Sequence, residues 1–383
     1  MAARRASSYA VAAADVEAAA RRIAAHIVRT PVLTSDAFDA LADPAGGARR
    51  VFFKCELMQR TGSFKFRGAC NAVACALGDG DGGGGGAGAG VGGGGAGAGA
   101  EPVSVTTHSS GNHAAALALA ARQRGVRATI VMPSNAPAVK RRAVESFGAT
   151  IITCGPTQAE REAAAQRVVD GTRGTVFVHP SEDPHVIAGQ GTVALELLEQ
   201  VAELLRRDDS APRTMEDRPV LDAVIVPIGG GGLTSGIATL VKARDPRIRV
   251  IAAEPAAADD AFRSKQAGRI EGHAGGPGVA PSTMADGLKT TLGPNTFPIV
   301  RDLVDEIVCV SEAEISAALR IVYEQVKLAI EPSAAVGVAA LLSAALGPAA
   351  RPELRRIGVI LCGGNVDLDA LPGLLAVAKA AAP

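Results

Sequence analysis

An α/β fold with mainly parallel sheets is predicted by two features of this 383-residue chain. Short β-branched runs recur along it: TIVM at 129–132, TIIT at 150–153, VFVH at 176–179, AVIVPI at 223–228, RVIAAE at 249–254 and RIGVIL at 356–361. Between them lie longer Ala-rich amphipathic segments, the alternation expected when helices cover the faces of parallel strands. With 48% apolar residues, the chain is long enough for two domains with cores of their own.

From the N-terminus, Asp15 is placed to cap a helix on which Val16, Ile23 and Ile27 share one face. The stretch TGSFKFRG, 61–68, puts a lysine between two phenylalanines after a Thr-Gly-Ser turn. It is followed by GDGDGGGGGAGAGVGGGGAGAGAEP, 78–102, where nothing can pack and glycine's ordering entropy predicts a floppy surface loop without function. A β run, VSVTT, leads through THSSGNHA, 107–114, into a helix-like segment, and Gly111 and Gln190 each open an amphipathic stretch. The polar, Pro-bearing RRDDSAPRTMEDRP, 206–219, reads as an exposed helix-to-strand connection. After AVIVPI comes PIGGGGL, 227–233, and then the apolar TSGIATLVKA.

Charge and cysteine content narrow the partners. Lys+Arg and Asp+Glu both number 39, so no basic stripe favours nucleic acid or an acidic membrane surface, and a small molecule is the expected partner. The six cysteines never form C-x-x-C and nothing resembles a secretory segment, which speaks against disulfides and zinc and for a reducing, cytoplasmic compartment. MAARRASSYAVA at the start carries two Arg and no acid, a weak organelle-transit signature in a short tail.

Three segments bear chemistry. Lys65, flanked by Phe64 and Phe66, is either a snorkelling helix lysine or a buried amine whose desolvation keeps it neutral for Schiff-base formation. The four glycines 229–232, between a strand and a helix, let main-chain N–H groups cradle a phosphate dianion, and they match neither the dinucleotide nor the P-loop pattern. Hydroxyls, an amide and imidazoles at 107–114 suit a carboxylate at a helix N-terminus, or form an ordinary cap.

These segments, together with EPAAADD, LCGGNVD, KCELMQRTGSFKFRGA, HPSEDPHVIAGQGTVALE, MADGLK and KLAIEPSAAVGVAA, resemble the serine racemases, fold type II pyridoxal-phosphate enzymes of the serine/threonine dehydratase family, from about residue 15 to 375. The resemblance implies a tryptophan synthase β-like fold with a large domain from 1–77 and 184–383, a glycine-rich insertion at 78–102 and a small domain from 104–183 that closes over the cofactor. It makes Lys65 the Schiff-base lysine of pyridoxal 5′-phosphate, with Phe64 beside the ring, Asn112 on the 3′-oxygen, and Gly229, Gly230, Gly231, Gly232 and Leu233 around the phosphate. Ser109, Ser110, Asn112 and His113 would surround the substrate carboxylate. Glu254, the carbonyl of Ala258 and Asp260 would bind Mg²⁺, or Ca²⁺ or Mn²⁺ in its place; without the resemblance the two acids read as solvated residues near a helix start.

The implied activity interconverts L- and D-serine and eliminates water from serine to give pyruvate and ammonia, Lys65 acting on one face of Cα and Ser110 on the other. Ser110 is the feature that favours racemisation, because dehydratases commonly resemble S-A-G-N there. A threonine, serine or 3-hydroxyaspartate dehydratase is the alternative, and a silent amino-acid sensor is a more distant one. Cys362 stands where most serine racemases carry Ser at the pyridine nitrogen; a neutral thiol would not hold the ring protonated as an aspartate would. His108, Arg161 and Asp286 match positions near the site without an assigned role. A homodimer is implied, whereas Arg60 and Ala115 depart from what nucleotide control by ATP would need.

Overall fold

The computed structural model describes residues 9–46, 49–79, 103–109, 111–136, 138–207, 218–276 and 279–380. Residues 80–102 of the glycine-rich segment, Ser110 and residues 208–217 of the polar connection lie outside the described residues. Among the described residues, ten strands follow in chain order: β1 (Val32–Leu33), β2 (Arg50–Cys55), β3 (Ser104–His108), β4 (Arg127–Pro133), β5 (Thr150–Cys154), β6 (Thr175–Phe177), β7 (Ala223–Pro227), β8 (Arg249–Pro255), β9 (Glu306–Val310) and β10 (Arg356–Leu361). They form a six-stranded sheet, ordered β1-β2-β10-β7-β8-β9, and a four-stranded one, β5-β4-β3-β6. Every pairing is parallel except that of β1 with β2. The fold is the fold type II α/β architecture expected from the sequence.

Parallel strands covered on both faces read as nearly continuous apolar runs, and β7, AVIVP, is buried along its whole length. At the sheet centre Val359 of β10 lies opposite both Phe53 of β2 and Ile225 of β7, and all three are fully buried. The helix Lys65–Ala76 belongs to a second core: Phe66, Ala69 and Val73 pack with Val105, Leu117 and Ile130 of the four-stranded sheet and its covering helix.

The 24-residue helix Pro184–Arg207 joins the two bodies. Gly189 lets it touch the Lys65 helix, for a Cβ there would lie 2.7 Å from the Arg67 carbonyl oxygen. Gly191 does the same for the helix Gly232–Arg244, a Cβ meeting the Gly236 carbonyl oxygen at 2.8 Å. One helix therefore fixes the spacing between the lysine and the glycine cradle. Sequence pattern placed its start at Gln190; it begins six residues earlier, because Pro184 opens a first turn whose N–H groups on His185 and Val186 are capped by Asp183.

Two other expectations shift slightly. Asp15 sits inside the first helix, Ala13–Ile23, and reaches back to the Ala12 N–H at 2.8 Å, while Ile27 lies beyond its end. The VFVH run pairs only as far as Phe177, leaving His179 free to turn toward the site.

A buried ion network ties β2, the Lys65 helix and the long helix together. Arg67, fully buried, meets Glu56 at 2.8 Å and Glu196 at 2.7 Å; Lys54, also fully buried, meets Glu196 at 2.6 Å. Burial works against the Glu196 charge, but Arg67 and Lys54 hold its carboxyl below the usual carboxylate range. Glu196→Ala is expected to cost about 3–5 kcal/mol in a denaturant melt, since two buried cations lose a shared partner. A change below about 0.5 kcal/mol would remove the network from the account of stability.

Candidate active site

Lys65 is placed by a local turn. Gly62 has φ of +71°, a conformation that favours glycine, and the following residues pair with the loop after β10: Phe64 N–H donates to the Cys362 carbonyl at 3.0 Å, and Gly364 N–H to the Gly62 carbonyl at 2.9 Å. Lys65 thus opens its helix beside Cys362. Its Nζ donates to the Pro180 carbonyl at 2.8 Å and lies 5.1 Å from the centre of the Phe64 ring. Burial pushes the amine down from 10.5 to about 8, against the pull of Glu331. The neutral, nucleophilic amine is therefore more accessible near pH 7 than it is for a free lysine.

The glycine loop faces the same segment that holds the amine. Gly231, with φ of +80°, caps the helix Gly232–Arg244, whose first N–H groups have no intrahelical acceptor. A Cβ on Gly230 would stand 2.6 Å from Ser181 Oγ, one on Gly232 2.9 Å from the Ser181 carbonyl oxygen, and one on Gly229 2.9 Å from Leu288 Cα. Ser181 Oγ is buried without a hydrogen-bond partner. A lined but side-chain-free cradle, with an orphaned hydroxyl against it and a depressed amine one residue away at Pro180, fits a phosphate-bearing aldehyde.

Asn112 is the first residue of the helix Asn112–Gln123. Its Nδ2 donates to both oxygens of Glu331, at 2.9 and 3.1 Å, and its Oδ1 accepts from Asn365 Nδ2 at 2.9 Å. Burial raises the Glu331 carboxyl to about 7, with Asn112 opposing the shift. Sequence reasoning assigned Glu331 no role, although a lone acid in the apolar run LAIEPSAAVGVAA was the available signal. Cys362 is buried, and burial lifts its thiol well above its ordinary value, so the group beside the amine is neutral.

Around the expected carboxylate site, Ser109 Oγ accepts from the Gly111 N–H at 3.3 Å, and Ser110 lies outside the described residues. His113 is buried with Nε2 3.3 Å from the Val178 carbonyl oxygen and Nδ1 unpartnered; burial, with Lys65 nearby, holds its imidazole well below 6.5. His179 accepts two main-chain N–H groups at Nδ1, from Ser181 at 3.2 Å and Glu182 at 3.0 Å, and burial pulls it down to about 4. His108 stacks edge-on against it at 5.8 Å, and the buried Nε of Arg161, close enough to act on His108, has no partner. Lys65 acts on the His113 and His179 imidazoles, and both are pulled toward their neutral form chiefly by burial.

Glu254 and Asp260 are both fully buried at the end of β8 and the start of the helix Asp260–Ala267, flanking a short turn that ends at the buried Ala258. Glu254 accepts the N–H groups of Ala261 and Phe262, each at 2.9 Å, and Asp260 Oδ2 accepts that of Leu292 at 2.8 Å. Asp260 Oδ1 is buried without a hydrogen-bond partner, with His273 Nδ1 3.4 Å away. No group of three or more His, Cys, Asp or Glu side chains suited to a metal occurs among the described residues, so a cation here would depend on the Ala258 carbonyl.

Residues 23–363 match the family described as pyridoxal-phosphate dependent enzyme. The chain belongs to that family. Among relatives of this pyridoxal-phosphate enzyme, human serine racemase is 44% identical over 362 residues, covering 94% of this chain and 93% of its own. The structure of maize serine racemase superposes with a TM-score of 0.80 at 41% identity, covering 95% and 97% of the two chains. The serine racemase from Dictyostelium discoideum superposes with a TM-score of 0.76 at 37% identity, covering 94% and 100%.

Proposed function

We propose that this pyridoxal-phosphate enzyme interconverts L- and D-serine and also eliminates water from serine, giving pyruvate and ammonia. The observation that carries the reading is the Lys65 amine, depressed to about 8 and held on Pro180 next to the Ser181 wall of the glycine cradle.

Pyridoxal phosphate, when bound, withdraws electrons from Cα of the attached amino acid and acidifies its proton. Lys65 would carry the group; Gly229 to Leu233 would hold its phosphate by main-chain N–H groups, and Phe64 would pack on the ring. Asn112, oriented by Glu331 and Asn365, would donate to the ring oxygen, and the neutral Cys362 would face the ring nitrogen. Ser109, Ser110, Asn112 and His113 would gather the substrate carboxylate at the helix N-terminus. Lys65 takes the Cα proton on one face and Ser110 returns one on the other; departure of the β-hydroxyl instead leads to pyruvate.

The experiment is turnover of L-serine, L-threonine and 3-hydroxyaspartate with chiral analysis of each product. D-serine from L-serine is expected. Dehydration of threonine or 3-hydroxyaspartate with no racemisation of serine would replace the reading with the dehydratase alternative.

The division into 1–77 with 184–383 and 104–183 is part of this proposal, as is closure of the smaller domain over the site. Assembly as a homodimer and a cytoplasmic location belong to it too. No helix among the described residues is long and apolar enough to cross a membrane.

A Mg²⁺ or Ca²⁺ ion held by Glu254, Asp260 and the Ala258 carbonyl would neutralise two carboxylates that, among the described residues, have no Lys or Arg in salt-bridge contact; His273 Nδ1 is 3.4 Å from Asp260. Chelation is therefore expected to lower the melting temperature and the activity together, with Mg²⁺ or Ca²⁺ restoring both. Asp260→Ala should copy the chelated state. Indifference of the wild type to chelator and added metal would count against the site.

A further inference from the structure

The four-stranded sheet is covered unequally on its two faces. On one, Ala128, Ile130 and Met132 of β4 and Ile151 of β5 join the core that includes the Lys65 helix. On the other, the core is three buried residues, Val131 of β4 with Ala164 and Ala165 of the helix Gln158–Gly171, and the two alanines are short. A hollow of about 300 Å³ remains between that helix and the strands β4 and β5. Thr129 and Thr150, register partners on the two parallel strands, line it together with the exposed Ile152, and Thr172 lines it just past the helix end. None of these three threonine hydroxyls takes part in a hydrogen bond among the described residues. Arg167 lines the hollow from the helix, again with no hydrogen bond or ion pair among the described residues. Ala163 and Gly171 stand one turn before and after it, and Asp170 accepts from Gln166 Nε2 at 2.8 Å. No Asp or Glu among the described residues lines the hollow.

We infer that this hollow binds a small organic carboxylate with a short aliphatic body and no ammonium group. A guanidinium without a carboxylate partner offers two parallel N–H donors to one, and threonine hydroxyls rotate to donate to its remaining lone pairs. Ile152, Val168 and Ala164 give the aliphatic body apolar surface to cover. One cation balances one negative charge, which favours a monoanion over a phosphate dianion. An amino acid fits less well, because its ammonium would lie among side chains that include no carboxylate. The space is at the small end of ligand sites, which run from about 300 to 1,000 Å³. None of these residues belongs to the lysine and glycine-cradle site, so the inference stands or falls apart from the proposed reaction.

The test is a ligand-observed NMR titration of the cofactor-loaded enzyme with 3-methylbutanoate and its neutral isostere 3-methylbutanamide. The wild type is expected to bind the acid at least about tenfold more tightly than the amide. Arg167→Met should abolish that preference, and Arg167→Lys should keep part of it. Gly171→Leu should fill the hollow and abolish binding of the acid without lowering the melting temperature, since a Cβ on Gly171 would meet nothing within 4 Å and glycine is a poor helix residue. L-leucine should show no Arg167-dependent binding. Equal binding of acid and amide by the wild type, or an acid affinity unchanged in Arg167→Met, overturns the site; the second outcome would place the acid in the active site instead. Arg167-dependent binding of L-leucine as tight as that of the acid overturns the exclusion of amino acids. If Gly171→Leu fails to fold, Arg167→Met decides alone.

Discussion

Replacing Lys65 with alanine abolishes both racemisation and elimination, a fall of at least about 10⁴-fold in each. The reasoning starts from position. The turn at Gly62 and the pairing of Phe64 with Cys362 deliver this side chain to the Pro180 carbonyl, and burial has already brought the amine down to about 8. Removing it leaves the cradle, Asn112 and Glu331 in place, so the variant should still fold and still take up the cofactor by its phosphate. It should lose the absorbance of the lysine-linked chromophore. Retained turnover of serine by a folded variant would remove Lys65 from its role.

Ser110→Ala should separate the two reactions. The hydroxyl is the proposed proton donor on the face opposite Lys65, and its loss leaves the lysine face untouched. A lost acid/base group typically costs a factor of roughly 10² to 10⁴, so racemisation should fall by that much while L-serine elimination stays within about tenfold of wild type. Dehydration of D-serine should fall with racemisation, because proton removal from the D isomer needs that same face. A parallel decline in both products would assign Ser110 to substrate binding or loop geometry.

What was legible in the sequence is what is local. β4, β5, β7, β8 and β10 were readable because each is a compact β-branched run. β2, RVFFKC, was harder: a lysine and a cysteine at its end disguise a strand whose lysine is buried against Glu196, 142 residues on. β9, EIVCV, is likewise short and begins on a charge that Arg249 and Arg351 meet from elsewhere in the chain. The long helix hid its first turn because Gly189 and Gly191 weaken helical pattern where close packing requires them.

The same division holds in the site. Lys65 and the glycine loop announce themselves through their own neighbours in sequence. Glu331 acquires meaning only through Asn112, 219 positions away. The fate of His113, turned toward Val178, also depends on strand register that periodicity does not supply. Pairings of this kind are tertiary by nature, and residue type alone does not specify them.

The most direct test of one lysine and one serine serving two faces of a single carbon is a time course on L-serine in deuterated water, with D-serine, pyruvate and Cα deuterium measured in the same tube. The account predicts D-serine and pyruvate rising together in the wild type, with deuterium at Cα of the D-serine formed; in Ser110→Ala, pyruvate persists and D-serine does not appear. D-serine forming in Ser110→Ala at the wild-type rate, or appearing without deuterium at Cα, would contradict it.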